Sequence, residues 1–136
     1  MPPVPVPSEV DVFLAAANPA VVGTVSPRGT AHTAATWYDW EDGRVLLNMD
    51  ETRLRLGYLR TNPSVSLTVL AADDWYRQVT LLGRVVSIEE DEGLRDIDRL
   101  SIRYSGQPYR NRESGRFTAW MEPERWTAWP PPPLAA

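Results

Sequence analysis

The 136-residue chain predicts a mainly β fold, a small antiparallel barrel with short helices at its edges. Apolar residues gather in roughly five or six strand-length runs bounded by proline, glycine, asparagine and aspartate. The segment Glu41-Asp42-Gly43 carries the Asp-Gly pair that turns a hairpin. Only three stretches have helical spacing, and closing the sheet removes strand edges that would otherwise stand unpaired.

In chain order, Ser8 is placed to cap a first helix over residues 8–17, with Val10, Phe13, Leu14 and Ala17 on one face. Asn18-Pro19 ends it. A strand follows over 20–25, then a turn at Ser26-Pro27-Arg28-Gly29 and a strand over 30–40. After the Asp-Gly turn the chain returns over 44–49, where Val45, Leu47 and Met49 share a face. A short arginine-rich helix begins near Thr52 and closes at Asn62-Pro63. Strands over 64–70 and 76–89 flank a polar rim loop at 71–75. A third helix starts at Asp91, with Leu94, Ile97, Leu100 and Tyr104 forming one stripe. After a loop over 105–115, strands at 116–122 and 126–129 close the fold on either side of Pro123. The domain is thus expected over 8–129, between proline-rich tails at 1–7 and 130–136.

Composition excludes several chemistries. There is no cysteine, hence no disulfide, thiolate metal site, iron–sulfur cluster or cysteine nucleophile. His32 is the only histidine, and no carboxylate stands at a ligand spacing from it, so a strand histidine is expected and no metal site. A net charge of −4 argues against a general nucleic-acid or anionic-membrane binder. No stretch is apolar enough to span a bilayer, and Met1-Pro2-Pro3-Val4-Pro5 lacks the basic start of a secretory signal, so a cytoplasmic protein is expected.

Every basic side chain is an arginine, which suits bidentate phosphate recognition. The run Thr52-Arg53-Leu54-Arg55, with Arg60 further on, places cations around a helix start, a natural anion site. Two positions along a helix means about 200° of rotation, so Arg53 and Arg55 converge only by curling toward an anion at the first turn.

The ordered set Thr52-Arg53-Leu54-Arg55, Leu59-Arg60-Thr61-Asn62-Pro63, Tyr76-Arg77-Gln78-Val79, Gly83-Arg84-Val85, Ile97-Asp98-Arg99-Leu100 and Tyr104-Ser105-Gly106-Gln107-Pro108-Tyr109 resembles the pyridoxamine-phosphate-oxidase-like flavoproteins. Within them it is similar to the branch of coenzyme F420-dependent oxidoreductases. The resemblance spans about residues 10–126 and implies a split β-barrel, a homodimer with cofactor sites at its interface, and F420 as cofactor, with FMN as the alternative. It places Arg55 on the cofactor phosphate and Gln78 where a glutamine reaches the cofactor from the partner subunit. Thr36, Asn48 and Met49 would floor the cofactor ring, with Thr52, Arg53 and Arg60 beside the phosphate and Trp75 and Tyr76 walling a substrate pocket. Trp37 is assigned to the core or the dimer interface.

The implied activity is hydride transfer between the deazaflavin and an unsaturated or quinone-like organic substrate, the chemistry belonging to the cofactor. No serine–histidine–acid set or carboxylate pair emerges, and the catalytic residues are unassigned beyond Tyr76 or solvent as a proton source. An FMN-binding oxidase or reductase is the alternative. Gly57 and Tyr58 replace the polar pair of many such relatives, which also leaves a non-catalytic cofactor-binding protein open.

Overall fold

The computed structural model describes residues 1–132. Helix α1 (Ser8–Ala15) leads into β1 (Ala20–Val25), β2 (Ala31–Thr36), β3 (Asp39–Glu41) and β4 (Arg44–Asp50). Helix α2 (Leu54–Thr61), β5 (Ser64–Ala71) and β6 (Asp74–Glu90) follow, then α3 (Arg95–Ser105) after a short 3₁₀ turn, and β7 (Arg116–Trp129). All seven strands form one antiparallel sheet in the order β2-β1-β5-β6-β7-β4-β3.

The two edge strands of that sheet, β2 and β3, are consecutive in the chain and joined only by Trp37 and Tyr38. A flat seven-stranded sheet would hold its edges about 29 Å apart. Thr36 and Asp39 lie three residue steps apart and can be separated by at most about 11 Å. The sheet must therefore curl until its edges approach, and this makes it a barrel split at Trp37-Tyr38. Val22, Val45, Leu47, Met49, Leu67, Val69, Leu81 and Met121 fill the interior, each 1 % exposed or less. Burying a side chain of this size contributes about 1.5–3 kcal/mol.

The predicted strand over 30–40 is two strands. Tyr38 turns inward between them, fully buried, and its hydroxyl donates to the carbonyl of Leu14 at 2.7 Å and of Ala16 at 3.0 Å. Arg103 completes this corner, donating to the carbonyls of Ala15, Ala16 and Tyr38 at 2.9, 2.7 and 2.9 Å. The open carbonyls at the end of α1 thus find donors on the β2–β3 link and on α3. Helix α1 stops there, so Ala17 lies outside it. At its other end Pro7, not Ser8, is the capping position, and no side chain caps it.

The two strands expected around Pro123 are one continuous strand, β7. It passes the proline at a bulge of its own: Leu82 and Gly83 of β6 pair with Arg125 and Pro123, which leaves Glu124 of β7 unpaired beside the residue that lacks an N–H. Gly83 fits only as glycine, since a Cβ there would meet the Glu122 carbonyl oxygen at 2.1 Å. The N-terminal proline segment is a strap along the same stretch: Val4 donates to the Glu124 carbonyl and Trp126 to that of Pro2, both at 3.1 Å. The rim loop between β5 and β6 shortens to Ala72-Asp73, because pairing persists to Ala71 and Asp74. Residues 133–136 of the C-terminal tail lie outside the described residues.

Candidate functional site

Asp91 does not open α3 as a helical residue. Gly93 and Leu94 take positive φ, and Asp91, upstream of the kink, reaches back as the cap of α3. Its carboxylate accepts the N–H groups of Asp96 and Ile97, both at 2.9 Å. This seats α3 against the outer side of β4, where Asn48 projects, while Met49 points into the barrel.

Between β4, α3, the end of β2 and the first turn of α2 lies a cavity of about 450 Å³, within the range of small-molecule sites. Its apolar walls include Ala20, Ala35, Ile97 and Leu100. Trp37 and Tyr104 stand stacked in it, centroids 5.5 Å apart and planes 7° from parallel, and Tyr109 meets Trp37 edge-on at 6.0 Å. The Tyr104 hydroxyl donates to the Asn18 carbonyl at 2.6 Å. Burial pushes its pKa above the usual tyrosine range, against the opposing pull of the Tyr38 N–H and Arg103, so it stays protonated.

The polar end of the cavity holds Asn48, Arg55 and Arg116. Arg116 is 7 % exposed, and its Nε donates to Asn48 Oδ1 at 2.7 Å. The Tyr109 ring lies 4.8 Å from its guanidinium. Arg55 has no hydrogen bond or carboxylate within ion-pair distance among the described residues. Burial lowers its pKa first, and the charges of Arg53 and Arg116 lower it further, with Asp50 opposing them. Two arginines converging at the end of an aromatic-walled cavity form a site for a flat ligand bearing an anion.

Thr36, Asn48 and Arg55, three of the residues assigned to the cofactor, thus line one cavity. Met49 is a correction: it is 1 % exposed and belongs to the core. Successive strand residues point to opposite faces, so Asn48 and Met49 cannot both face the cavity. Trp37, assigned to the core or the dimer interface, is half-buried and lines the cavity.

Thr52, Arg53 and Arg60 border a separate surface depression on the far side of α2, as the rotation between positions 53 and 55 requires. The turn leading into α2 is held by the chain's own anion, while the helix itself has no side-chain cap. Asp50 accepts the N–H of Thr52 at 2.8 Å, bonds the Thr52 hydroxyl, and pairs with Arg53 at 3.4 Å. Arg60 lies over Phe117, 4.8 Å from the ring centroid. Gln78 lines another small depression with Phe13 and Trp129. Trp75 and Tyr76 stack on each other at the tip of the β5–β6 hairpin, 66 % and 63 % exposed. None of these three borders the aromatic cavity of its own chain. His32 sits on β2 edge-on to Tyr58, 5.7 Å between centroids.

Sequence reasoning missed Arg116, Asp91, Tyr104 and Tyr109 as parts of the site. One signal was available: Asn48 interrupts the apolar run Val45-Leu46-Leu47, and a buried amide needs partners from elsewhere in the chain.

The fold is a split β-barrel with an aromatic-walled cavity at its edge that carries two arginines at one end. Residues 6–130 match the family model described as pyridoxamine 5'-phosphate oxidase, and the chain belongs to that family. Among solved structures, an F420 reductase is 23% identical, with a TM-score of 0.82 over 90% of this chain and 98% of that one. A conserved hypothetical protein from Mycobacterium tuberculosis is 23% identical, with a TM-score of 0.70 over 93% of this chain and 86% of the other. General stress protein 26 from Bacillus anthracis is 18% identical, with a TM-score of 0.65 over 92% and 94%. No curated protein matches the chain. At these identities the structural likenesses establish the fold alone. Among the described residues, no helix is long and apolar enough to cross a membrane.

Proposed function

We propose that the protein is an F420-dependent oxidoreductase that exchanges a hydride between the deazaflavin and an unsaturated or quinone-like organic substrate. The observation that carries this reading is Arg55: a half-buried cation without a carboxylate partner among the described residues, beside Arg116 at the end of an aromatic cavity. A cation so placed is stabilised by an anionic ligand, and the aromatic walls suit a flat ring. The likeness to an F420 reductase supports the choice of deazaflavin.

When bound, the coenzyme supplies hydride chemistry, and the chain supplies placement and exclusion of water. Arg55 and Arg116 would hold the phosphate, Asn48 would fix Arg116, and Trp37 with Tyr104 would wall the ring. The Tyr104 hydroxyl, donated to a carbonyl, is held in place as a wall group.

FMN is the alternative within the same site, since its phosphate meets the same arginines, and the family match keeps it in view. We further propose a homodimer. Edge strand β2 leaves Ala31, Thr33 and Ala35 exposed, a flat face of small side chains that a second copy can cover. In such a dimer Gln78, Trp75 and Tyr76 would reach the partner's cavity. Calorimetric titration with F420 and with FMN, followed by turnover of reduced F420 with quinones and enones, tests the reading. Saturable F420 binding and substrate-dependent oxidation are expected; binding of FMN alone would select the alternative, and binding of neither would overturn both. Sedimentation equilibrium showing a monomer would remove the dimer.

A further inference from the structure

Arg116 is oriented by a buried chain of side chains that starts at the cap of α3. Asp91, 5 % exposed, holds two helix N–H groups and also accepts from Asn48 Nδ2 at 3.1 Å. Asn48 Nδ2 donates in addition to Thr118 Oγ1 at 3.2 Å, and the Thr118 hydroxyl in turn donates to the Asp96 carboxylate at 2.6 Å. The acceptors gathered on one side of the Asn48 amide leave only one orientation, with Oδ1 toward Arg116 Nε.

That bond decides which edge of Arg116 turns inward, since the Tyr109 ring 4.8 Å from the guanidinium restrains its plane without directing its Nη groups. Its nearest carboxylate oxygen, on Asp50, is 3.9 Å away, a distance that gives attraction without direction. No hydrogen bond from its two Nη groups is formed within the described residues. The Nη edge is therefore free for an external anion, while the Nε edge is tied inward to Asn48. The Asn48 amide has two sides, one carrying the carboxylate that caps a helix and the other the cation that faces the cavity.

We propose that Asp91 is a positioning residue for the anion site: through Asn48 it fixes Arg116 so that its Nη edge meets a phosphate in the cavity. The inference rests on the cavity's being an anion site and is independent of which coenzyme brings the phosphate. Asp91 touches no ligand itself. Replacing it by asparagine offers the Asn48 amide a donor as well as an acceptor, so the amide loses its single orientation and Arg116 the acceptor that ties its Nε edge inward.

The test is a double-mutant cycle on binding of inorganic phosphate, followed through the Nε–H signal of Arg116 and the backbone amides. Asp91→Asn and Arg116→Lys should each weaken phosphate binding by about tenfold, the scale of one charge-assisted hydrogen bond. Together they should weaken it no more than Arg116→Lys alone. Asp91→Asn should also release the Arg116 Nε–H signal to solvent exchange. Additive losses, or an Arg116 signal unchanged in Asp91→Asn, would assign Asp91 to helix capping only and overturn the proposal. Should Asp91→Asn fail to fold, Asn48→Ser cuts the same link from its middle and carries the same expectations. Wild-type protein without saturable phosphate binding overturns it as well. Phosphate binding without binding of F420 or FMN defeats the coenzyme reading and leaves this one standing.

Discussion

Trp37 and Tyr104 lie face to face, 5.5 Å between centroids, although one follows an edge strand and the other ends a helix. Their stack joins the split in the barrel to α3 and forms the wall of the cavity. Trp37→Leu should lower coenzyme affinity by about 2- to 10-fold, the worth of one aromatic pair. The wild-type tryptophan emission should be quenched on binding, and the variant should lose most of that quenching.

Arg55→Ala removes a cation that is buried for a guanidinium and repelled by Arg53 and Arg116. Coenzyme binding should weaken by roughly 1.5–3 kcal/mol, read by calorimetry. The melting temperature of the unliganded protein should hold or rise, because the lost charge has no carboxylate partner among the described residues. A mutant that melts early and binds normally would assign Arg55 a structural role.

Asp50 sets an acid limit on stability. Burial works to raise its pKa, but the Thr52 hydroxyl and N–H together with Arg53 and Arg116 outweigh it and hold the carboxyl below its ordinary value of 3.8. A folded-state value below the unfolded one means that the stabilisation is complete above the unfolded value and disappears as pH falls through the folded one. Melting temperature should accordingly drop as pH falls below about 4, and Asp50→Asn should flatten part of that decline. An unchanged slope would show that Asp50 is no more tightly held folded than unfolded.

Gly83→Ala places a methyl against backbone, 2.1 Å from the Glu122 carbonyl oxygen and 2.8 Å from Pro123 Cα. Neither atom can rotate away, so the bulge must deform. The expected cost is about 1–3 kcal/mol, measured by urea unfolding. Gly23→Ala should cost less: its close neighbour is the Ser66 hydroxyl, which can change rotamer.

Tyr38→Phe removes a buried hydroxyl that donates to two carbonyls. Arg103 Nη2 remains on the Ala16 carbonyl at 2.7 Å and on that of Leu14 at 3.4 Å. Neither acceptor is orphaned, so the loss should stay near about 1 kcal/mol, not the larger penalty of an unsatisfied group. Combining it with Arg103→Ala should cost more than the two changes separately, also by urea unfolding.

The local signals in the sequence determined the β-rich class, most strand positions, the Asp42-Gly43 hairpin and the short arginine helix, because alternation, turn chemistry and helix-breaking proline act over a few residues. They also pointed to Arg55, a cation near the start of a short helix, while Asn48 was named only as part of the strand floor that the family resemblance implies. Only the tertiary structure decided which arginine Arg55 would join. Arg116 lies far along the chain and reaches Asn48 through strand pairing of β4 with β7, and no local pattern encodes that register. The same holds for Asp91, whose role as a cap depends on the kink at Gly93 and Leu94, and for Met49, turned inward by the side of the sheet that became the barrel's interior. Contacts between distant segments are set by how the whole sheet curls, and curling minimises the free energy of the entire chain, beyond the reach of any short window of it.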